Sequence, residues 1–189
     1  MKELVERVKR DGKVRPGGIL KVDGFINHRI DPGLMFDMAQ EVRRLFSGEE
    51  ITKILTVESS GIAFAVMVGY VMELPVVFAK KSKSANIADS VFAAKVHSYT
   101  HGNDNTVIVS KEYLLPSDKV LLVDDFLAMG EALRGLSSVV EQAGASVCGA
   151  AVAIEKAFQP GGRLLRESGM RVEALARIAS MSDDDICFC

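Results

Sequence analysis

The sequence lacks any apolar run long enough to span a membrane. Its longest apolar stretches, residues 62–70 and 147–154, are far shorter than the roughly 20 residues that cross a bilayer. The opening residues, MKELVERVKR, place Leu4, Val5 and Val8 among charges instead of building the apolar core of a secretion signal. We therefore expect a cytoplasmic protein with neither a membrane span nor a signal peptide.

Cysteine is scarce. Cys148, Cys187 and Cys189 form an odd set at scattered spacing, which predicts no disulfide framework and fits a reducing compartment. The last two are predicted to lie in a frayed terminus, without a base or partner that would make a nucleophile or a zinc site. His97 and His101 have the spacing of a helical metal pair, but the residues between them do not favour a helix.

An excess of either charge is also missing. The formal net charge is −2, so no global positive field exists to bind nucleic acid. No repeat, low-complexity tract or break in composition divides the chain, and its 48% hydrophobic content suffices for one core. We expect a single domain over residues 1–189.

What the sequence contains is an alternation of strand-like and helix-like segments. Apolar periodicity predicts helices over residues 1–10, 34–46, 62–72 and 132–143. Short apolar runs predict strands over residues 53–57, 75–79, 120–123 and 147–154. The remaining predictions are an extended arm at 19–26, a polar loop at 80–90, weak strands near 91–99 and 106–109, a turn at 160–162 and a final helix–strand pair. This order predicts an α/β fold with a central, mostly parallel sheet flanked by helices.

The segment VLLVDDFLAMGEAL, residues 120–133, is the most informative. It places a short loop with a glycine between a buried strand and a helix, and ligands of open α/β sheets bind at such strand ends. Backbone amides at a helix N-terminus can hold a phosphate group without basic side chains. The residues predicted to do so are Ala128, Met129, Gly130, Glu131 and Ala132.

Two adjacent carboxylates, Asp124 and Asp125, precede this loop. If a sugar 5-phosphate occupied the loop, its ribose hydroxyls would lie near them, and carboxylates accept hydrogen bonds from vicinal diols. On the residues alone, a helix cap together with a metal-binding or surface acid explains the pair as well.

Residues 120–132 resemble the phosphoribosyl pyrophosphate (PRPP) signature of the type I phosphoribosyltransferase family. Within that family the chain is similar to the bacterial enzymes that act on xanthine, from near the N-terminus to about Ile178. The segments that carry the likeness are GILKVDGFINHRIDP (18–32), ITKILTVESSGIAFAVM (51–67), VVFAKKSKS (76–84) and AIEKAFQPG (153–161).

The resemblance implies the type I fold, with a mobile hood loop and a base-binding hood made by the N-terminal and C-terminal segments. It implies a purine-salvage enzyme that transfers the ribose 5-phosphate of PRPP to xanthine, giving xanthosine 5'-monophosphate and diphosphate. Mg²⁺ is expected with PRPP, without metal-binding side chains that can be named, and the expected assembly is a homodimer.

The resemblance also assigns roles beyond the signature. Ser59 and Ser60 fall in the turn where the family binds pyrophosphate, although an ordinary βα turn has the same composition. Lys80, Lys81 and Lys83 begin the polar loop, which the family closes over pyrophosphate; lysines alone would indicate a solvated surface.

The base contacts implied by the resemblance are Leu20, Asn27 and Lys156. The Lys156 ammonium at a strand end suits a purine 6-oxo group, with a salt bridge to Glu155 or solvent as the alternative. The Asn27 amide suits a 2-oxo group or ring nitrogen. Phe126 is expected either to pack on the base or to belong to the core.

The sequence departs from the commoner signature inside the loop. Met129 and Ala132 replace threonines, so backbone amides must do most of the phosphate binding, and Glu131 is expected to point away. Ala128 stands where some relatives carry a loop acid, and no general base is assigned.

One different class of function stays open. Purine-responsive transcription regulators resemble this fold and bind PRPP without catalysis, but they add an N-terminal DNA-binding domain. The first predicted break here comes after about ten residues and the chain is slightly acidic, which favours an enzyme.

Overall fold

A computed structural model describes residues 1–82, 90–98, 103–182 and 185–189. Within them, the α-helices are α1 (Lys2–Asp11), α2 (Pro32–Leu45), α3 (Gly61–Met72), α4 (Glu131–Gln142) and α5 (Gly161–Glu167). The strands are β1 (Lys13–Arg15), β2 (Ile19–Lys21), β3 (Lys53–Val57), β4 (Val76–Ser82), β5 (Val91–Ser98), β6 (Asn103–Ser110), β7 (Lys119–Leu127), β8 (Ser146–Lys156), β9 (Val172–Met181) and β10 (Ile186–Phe188). A π-helix spans Asp23–Asn27 and a 3-10 helix spans Lys111–Tyr113.

The main sheet has eight strands in the order β10-β9-β8-β7-β3-β4-β6-β5. Strands β9, β8, β7, β3 and β4 pair in parallel, whereas β10, β6 and β5 join in antiparallel fashion at the two sides. The prediction of a mostly parallel sheet flanked by helices is therefore confirmed. Because β3 and β7 are neighbours, the turns after them meet at one edge, where α/β folds bind ligands.

Alternating side chains of the central strands belong to two hydrophobic clusters, one on each face of the sheet. In β7, Leu121 and Val123 pack with α1, α2 and α3, whereas Val120 and Leu122 pack with α4. Successive side chains of a strand point to opposite faces, so a strand covered on both faces is a continuous apolar run. This explains why the central strands were evident in the sequence.

The structure corrects several boundaries. Strand β7 continues to Leu127, because β8 is long enough to pair Leu127 with Glu155, so Asp124 and Asp125 lie within a strand rather than after it. Strand β4 continues to Ser82 along β6, so Lys80 and Lys81 belong to a strand and not to a loop. Lys83 lies outside the described residues.

Three further predictions were wrong, one at the start of α5 and two near the chain ends. Gly161 and Gly162 begin α5 instead of forming a turn. The C-terminus is not frayed at Cys187, which pairs with Ser180 as part of β10. The extended arm is limited to β2, which forms a hairpin with β1 before the π-helix begins.

Candidate active site

A cleft of about 240 Å³ opens at the edge of the sheet where β3, β7 and α4 meet. Its lining residues come from seven segments: β3, the turn after it, β4, the β5–β6 hairpin, β7, the loop into α4 and the first turn of α4. They are Val57, Glu58, Ser60, Lys81, Val96, Asn105, Val107 and residues 124–133. Both parts of the predicted signature, the acids and the loop, therefore lie in one cavity.

Asp124 and Asp125 are 5% and 6% exposed. The backbone N–H of Asp125 donates to Asp124 Oδ1 at 3.0 Å. Burial and the neighbouring Asp125 carboxylate raise the pKa of Asp124 well above its ordinary value, and the positive charge of Lys81 opposes this only in part. The site thus holds a carboxyl group that gains from any cation or hydrogen-bond donor brought into the cleft.

The start of α3 packs closely against these acids. A Cβ atom on Gly61 would lie 2.5 Å from Thr56 Oγ1 and 2.8 Å from Asp124 Oδ1, closer than atoms can approach. Glycine is therefore required where α3 meets β7. Thr56 Oγ1 is buried there and has no hydrogen-bond partner among the described residues.

The loop before α4 has the features of an anion cradle. Gly130 is the N-cap of α4 with φ of 81°, a left-handed conformation that favours glycine, and no side chain caps the helix. The first amides of α4 therefore remain available to a ligand, and the helix dipole adds partial positive charge.

Glu131 is the one acidic side chain in this loop. Its carboxylate forms an ion pair with Arg134 one turn further along α4, and the Arg134 guanidinium also donates to Met129 O at 2.9 Å. Arg134 thus holds the Glu131 carboxylate against α4 and offsets its negative charge beside the loop.

The turn after β3 contributes to the same cleft. Ser60 lines the cavity, whereas Ser59 is exposed outside it. Lys81 lies in the neighbouring strand β4, and its backbone N–H donates to Glu58 Oε1 at 2.5 Å. Lys80 points to the opposite face of β4, towards a groove with Phe78 and Tyr113. Of the two lysines in β4, only Lys81 therefore faces the cleft.

The predicted base contacts lie at the N-terminal hairpin and the end of β8. Lys156 Nζ donates to Gly18 O at 2.8 Å, which ties β8 to the loop between β1 and β2. Half-burial lowers the pKa of Lys156, since it disfavours the charged ammonium. Its nitrogen lies 6.0 Å from the centre of the Phe126 ring, and Phe126 lines the cleft. Lys156 thus lies near a residue that lines the cleft without lining it itself.

Leu20 and Asn27 are less directly placed. Leu20 is buried in the core through β2, while Asn27 ends the π-helix at an exposed position. Among the described contacts, no hydrogen bond joins Asn27 to Lys156. The alternative salt bridge between Lys156 and Glu155 is wrong, because the Glu155 carboxylate pairs with Arg166 and Arg177 instead.

Sequence analysis missed Asn105, which lines the cleft. It pairs with Val96 in the β5–β6 hairpin, and a Cβ atom on Gly135 would clash with Val96, so this hairpin rests directly on α4. The sequence offered no signal for this approach, because it depends on contacts between segments far apart in the chain.

The described residues contain no group of three or more histidine, cysteine, aspartate or glutamate side chains arranged to hold a metal ion. His101 lies outside the described residues, as do the side-chain details of His97. All three cysteines are free thiols. None of the helices in the described ranges has the length and hydropathy of a transmembrane span.

Comparison with known proteins identifies the family. The model of the phosphoribosyl transferase domain matches residues 34–167. The chain belongs to this family. It is 52% identical over 188 residues to the xanthine phosphoribosyltransferase of Ligilactobacillus salivarius (strain UCC118), covering 100% of this chain and 98% of that protein. The Bacillus cytotoxicus enzyme of the same name is 50% identical over 188 residues, covering 100% and 95%.

Solved structures of the family share the fold. The adenine phosphoribosyltransferase of Giardia lamblia in complex with 9-deazaadenine superposes with a TM-score of 0.79 at 19% identity, covering 94% of this chain and 98% of that one. The Saccharomyces cerevisiae enzyme gives 0.75 at 21% identity, covering 93% and 99%. The predicted type I phosphoribosyltransferase fold is therefore confirmed, while identities this low carry no information about the base.

Proposed function

We propose that this chain is a purine-salvage enzyme that transfers the ribose 5-phosphate of PRPP to xanthine, giving xanthosine 5'-monophosphate and diphosphate. The observation that carries the proposal is one cleft that joins two buried carboxylates to an uncapped helix N-terminus opened by glycine. Identity of 50–52% over the full chain to enzymes named xanthine phosphoribosyltransferase supports xanthine as the base.

The reaction needs charge stabilisation more than a nucleophile. When pyrophosphate leaves ribose C1, positive charge builds on the sugar ring and negative charge on the leaving group. In our proposal, Asp124 and Asp125 bind the ribose hydroxyls and stabilise the cationic ring. Their burial in the cleft strengthens this effect, since electrostatic interactions grow as water is excluded.

The 5-phosphate would bind the amides of Ala128, Met129, Gly130, Glu131 and Ala132. At the other end of the cleft, Ser60 and the ammonium of Lys81 would bind pyrophosphate and stabilise its developing charge. Lys83 is proposed to assist from the loop beyond β4. Ser59, exposed beside Ser60, is proposed to bind pyrophosphate with it. Together these contacts would hold the 5-phosphate on one side of ribose C1 and pyrophosphate on the other, and would orient C1 for attack.

The base would lie between Phe126 and the N-terminal hairpin. Lys156 would donate to the purine 6-oxo group, with the Asn27 amide and the backbone around Leu20 contacting the rest of the ring. The proximity of Lys156 to Phe126, which lines the cleft, supports its assignment most directly. The proton path from the purine nitrogen has no assigned residue, since Ala128 cannot accept a proton.

Enzymes of this family generally use Mg²⁺ together with PRPP. The residues present fit it: two carboxylates line the cleft, and Mg²⁺ prefers oxygen ligands. Asp124 and Asp125 would hold the ion jointly with the substrate. Bound there, Mg²⁺ would neutralise pyrophosphate charge.

Steady-state turnover of each purine base with PRPP and Mg²⁺ tests the proposal. We expect the highest kcat/KM with xanthine, and preferential turnover of adenine would contradict the donor role of Lys156. The Asp124→Asn, Asp125→Asn double variant should lose at least about a hundredfold in kcat/KM. Near-normal turnover would remove the acids from the site, and tight, salt-sensitive DNA binding in a gel shift would favour the regulator class instead.

We also propose that the enzyme is a cytosolic homodimer. Its free cysteines fit a reducing compartment. The dimer proposal rests on α3, which is apolar all round although Val66 and Tyr70 face outward. A helix that is hydrophobic on every side is normally covered. Phe36 of α2 extends this apolar surface, so a second copy is the proposed cover.

A further inference from the structure

Glu155, at the end of β8, is a buried carboxylate with no role in the reaction as described above. It is 1% exposed. Arg166 binds it through two hydrogen bonds of 2.7 and 2.9 Å, and Arg177 Nε donates to it at 2.9 Å. Burial alone would raise the pKa of Glu155, but the bonds and charges of the two arginines outweigh burial and hold it below its ordinary value. The Glu155 carboxylate therefore stays ionised, and three hydrogen bonds from the two arginines fix its position.

Arg166 belongs to α5, so the bidentate pair fixes this short helix to the sheet. A third bond, from Arg166 Nη2 to Val172 O at 3.1 Å, ties the same guanidinium to β9. Gly162, in the first turn of α5, approaches Glu155 so closely that a Cβ atom would collide with its Oε1. The position of the first turn of α5 is therefore set by Glu155.

The same first turn supports the phosphate loop. Gly161 N donates to Ala128 O at 3.1 Å. A Cβ atom on Gly161 would lie 2.5 Å from the Met129 carbonyl carbon and 2.6 Å from Gly130 N. The Cβ of a residue at 130 would in turn lie 3.3 Å from Gly161 Cα and from Leu165 Cδ1. The loop backbone thus rests directly on α5.

We infer that Glu155, Arg166 and Arg177 form a positioning cluster that acts through Gly161 on the loop proposed to bind the 5-phosphate of PRPP. None of these three residues lines the cleft. It sets the height of the loop backbone at the edge of the sheet, and hence the direction of the amides that bind phosphate. The inference rests on the proposed function of that loop.

A positioning role predicts a particular kinetic signature. The 5-phosphate does not react, so loop contacts bind substrate and transition state alike, and their loss raises KM while kcat stays nearly unchanged. Loss of folded protein would instead lower the apparent kcat, without changing the KM for PRPP or the KM for xanthine. Lys156, the next residue along β8, provides an internal check, because general damage to this strand end would also raise the KM for xanthine.

The experiment compares Glu155→Gln and Arg166→Gln with Arg163→Gln. Arg163 lies on α5 and pairs with Glu167 on the solvent side, so its variant removes the same charge and one ion pair of the same helix away from the loop. We expect the first two variants to raise the KM for PRPP about tenfold or more, with kcat and the KM for xanthine within about twofold of wild type. Arg163→Gln should match wild type.

Arg166→Lys keeps the charge but loses the bidentate fork, and it should recover only part of the PRPP affinity. If Glu155→Gln does not fold, Arg177→Gln removes a single bond to Glu155 and should show the same signature more weakly. Equal PRPP KM values for wild type and both Gln variants would overturn the inference. A wild-type enzyme without turnover on any purine would instead contradict the proposed function.

Discussion

At the scale of single residues, the acid pair was predictable and its surroundings were not. Asp124, Asp125 and the loop residues that follow are contiguous in sequence, so their chemistry could be inferred from a short pattern. Asn105 and the cluster of Glu155, Arg166 and Arg177 reach their places through contacts between distant segments. Lys156 was placed correctly at a strand end, but its hydrogen bond to Gly18 O joins residues 138 positions apart, so no local sequence pattern could predict it.

Asp124→Asn should raise thermal stability while it lowers activity. The folded state raises the pKa of Asp124, chiefly through burial, so the unfolded carboxyl, with a pKa of about 3.9, releases its proton more readily. As pH rises from about 4 through the raised pKa, wild type therefore loses stability that the neutral amide keeps. We expect a Tm gain of a few degrees at pH 8, where ~1 kcal/mol corresponds to about 2–4 °C.

Thermal unfolding from pH 4 to pH 9 tests this prediction. The advantage of Asp124→Asn should be small near pH 4, grow with pH and then level off. Asp37→Asn, at an exposed position of α2, is the matched control and should show no such trend. A variant that is less stable than wild type at pH 8 would mean that the carboxylate is stabilised by contacts other than those described.

At the scale of secondary structure, elements that are almost entirely apolar in sequence were predicted well. The limits of β3 and α3 follow from apolar runs and turn residues, and both predictions are confirmed to within one residue. Ends that depend on a partner were missed. Strand β7 extends because β8 runs beside it, β4 because β6 does, and α5 starts at two glycines that are needed for close packing rather than for a turn.

Gly61→Ala tests how closely α3 must approach β7. The added methyl group would collide with Thr56 Oγ1 and Asp124 Oδ1, so either α3 or the acid must shift. We expect a loss of about 1–3 kcal/mol in stability from overpacking, and at least about a hundredfold lower kcat/KM if Asp124 is displaced by about 1 Å.

Urea unfolding and steady-state assays on the same preparation measure the two effects. Gly48→Ala is the matched control, because a methyl group there meets no atom within 4 Å. Its stability and activity should equal those of wild type. A Gly61→Ala variant with unchanged kcat/KM would show that Asp124 tolerates displacement, which contradicts its proposed contact with ribose.

At the scale of the whole molecule, the N-terminal and C-terminal segments contact each other. The Met1 amine bonds to Leu175 O in β9, Lys9 lies over the Phe188 ring of β10, and Lys156 binds the β1–β2 loop. These contacts join the segments that are predicted to form the base-binding hood, whose contact with a base stays a prediction. On the same face of the sheet, α2 and α3 carry the exposed apolar side chains Phe36, Val66 and Tyr70.

That apolar surface leads to the last prediction, which concerns the dimer. Tyr70 is 74% exposed, so Tyr70→Glu should leave the fold of each copy intact. In a dimer that covers α3, the new carboxylate would be buried among apolar side chains and beside Glu73, at a cost of several kcal/mol. Size-exclusion chromatography with light scattering should give wild type twice the chain mass of 20.5 kDa, and the variant a single chain mass at low micromolar concentration.

The control is Leu164→Glu, which makes the same kind of change at an exposed position of α5 and should remain dimeric. A dimeric Tyr70→Glu variant would move the interface elsewhere, and a monomeric wild type would contradict the homodimer.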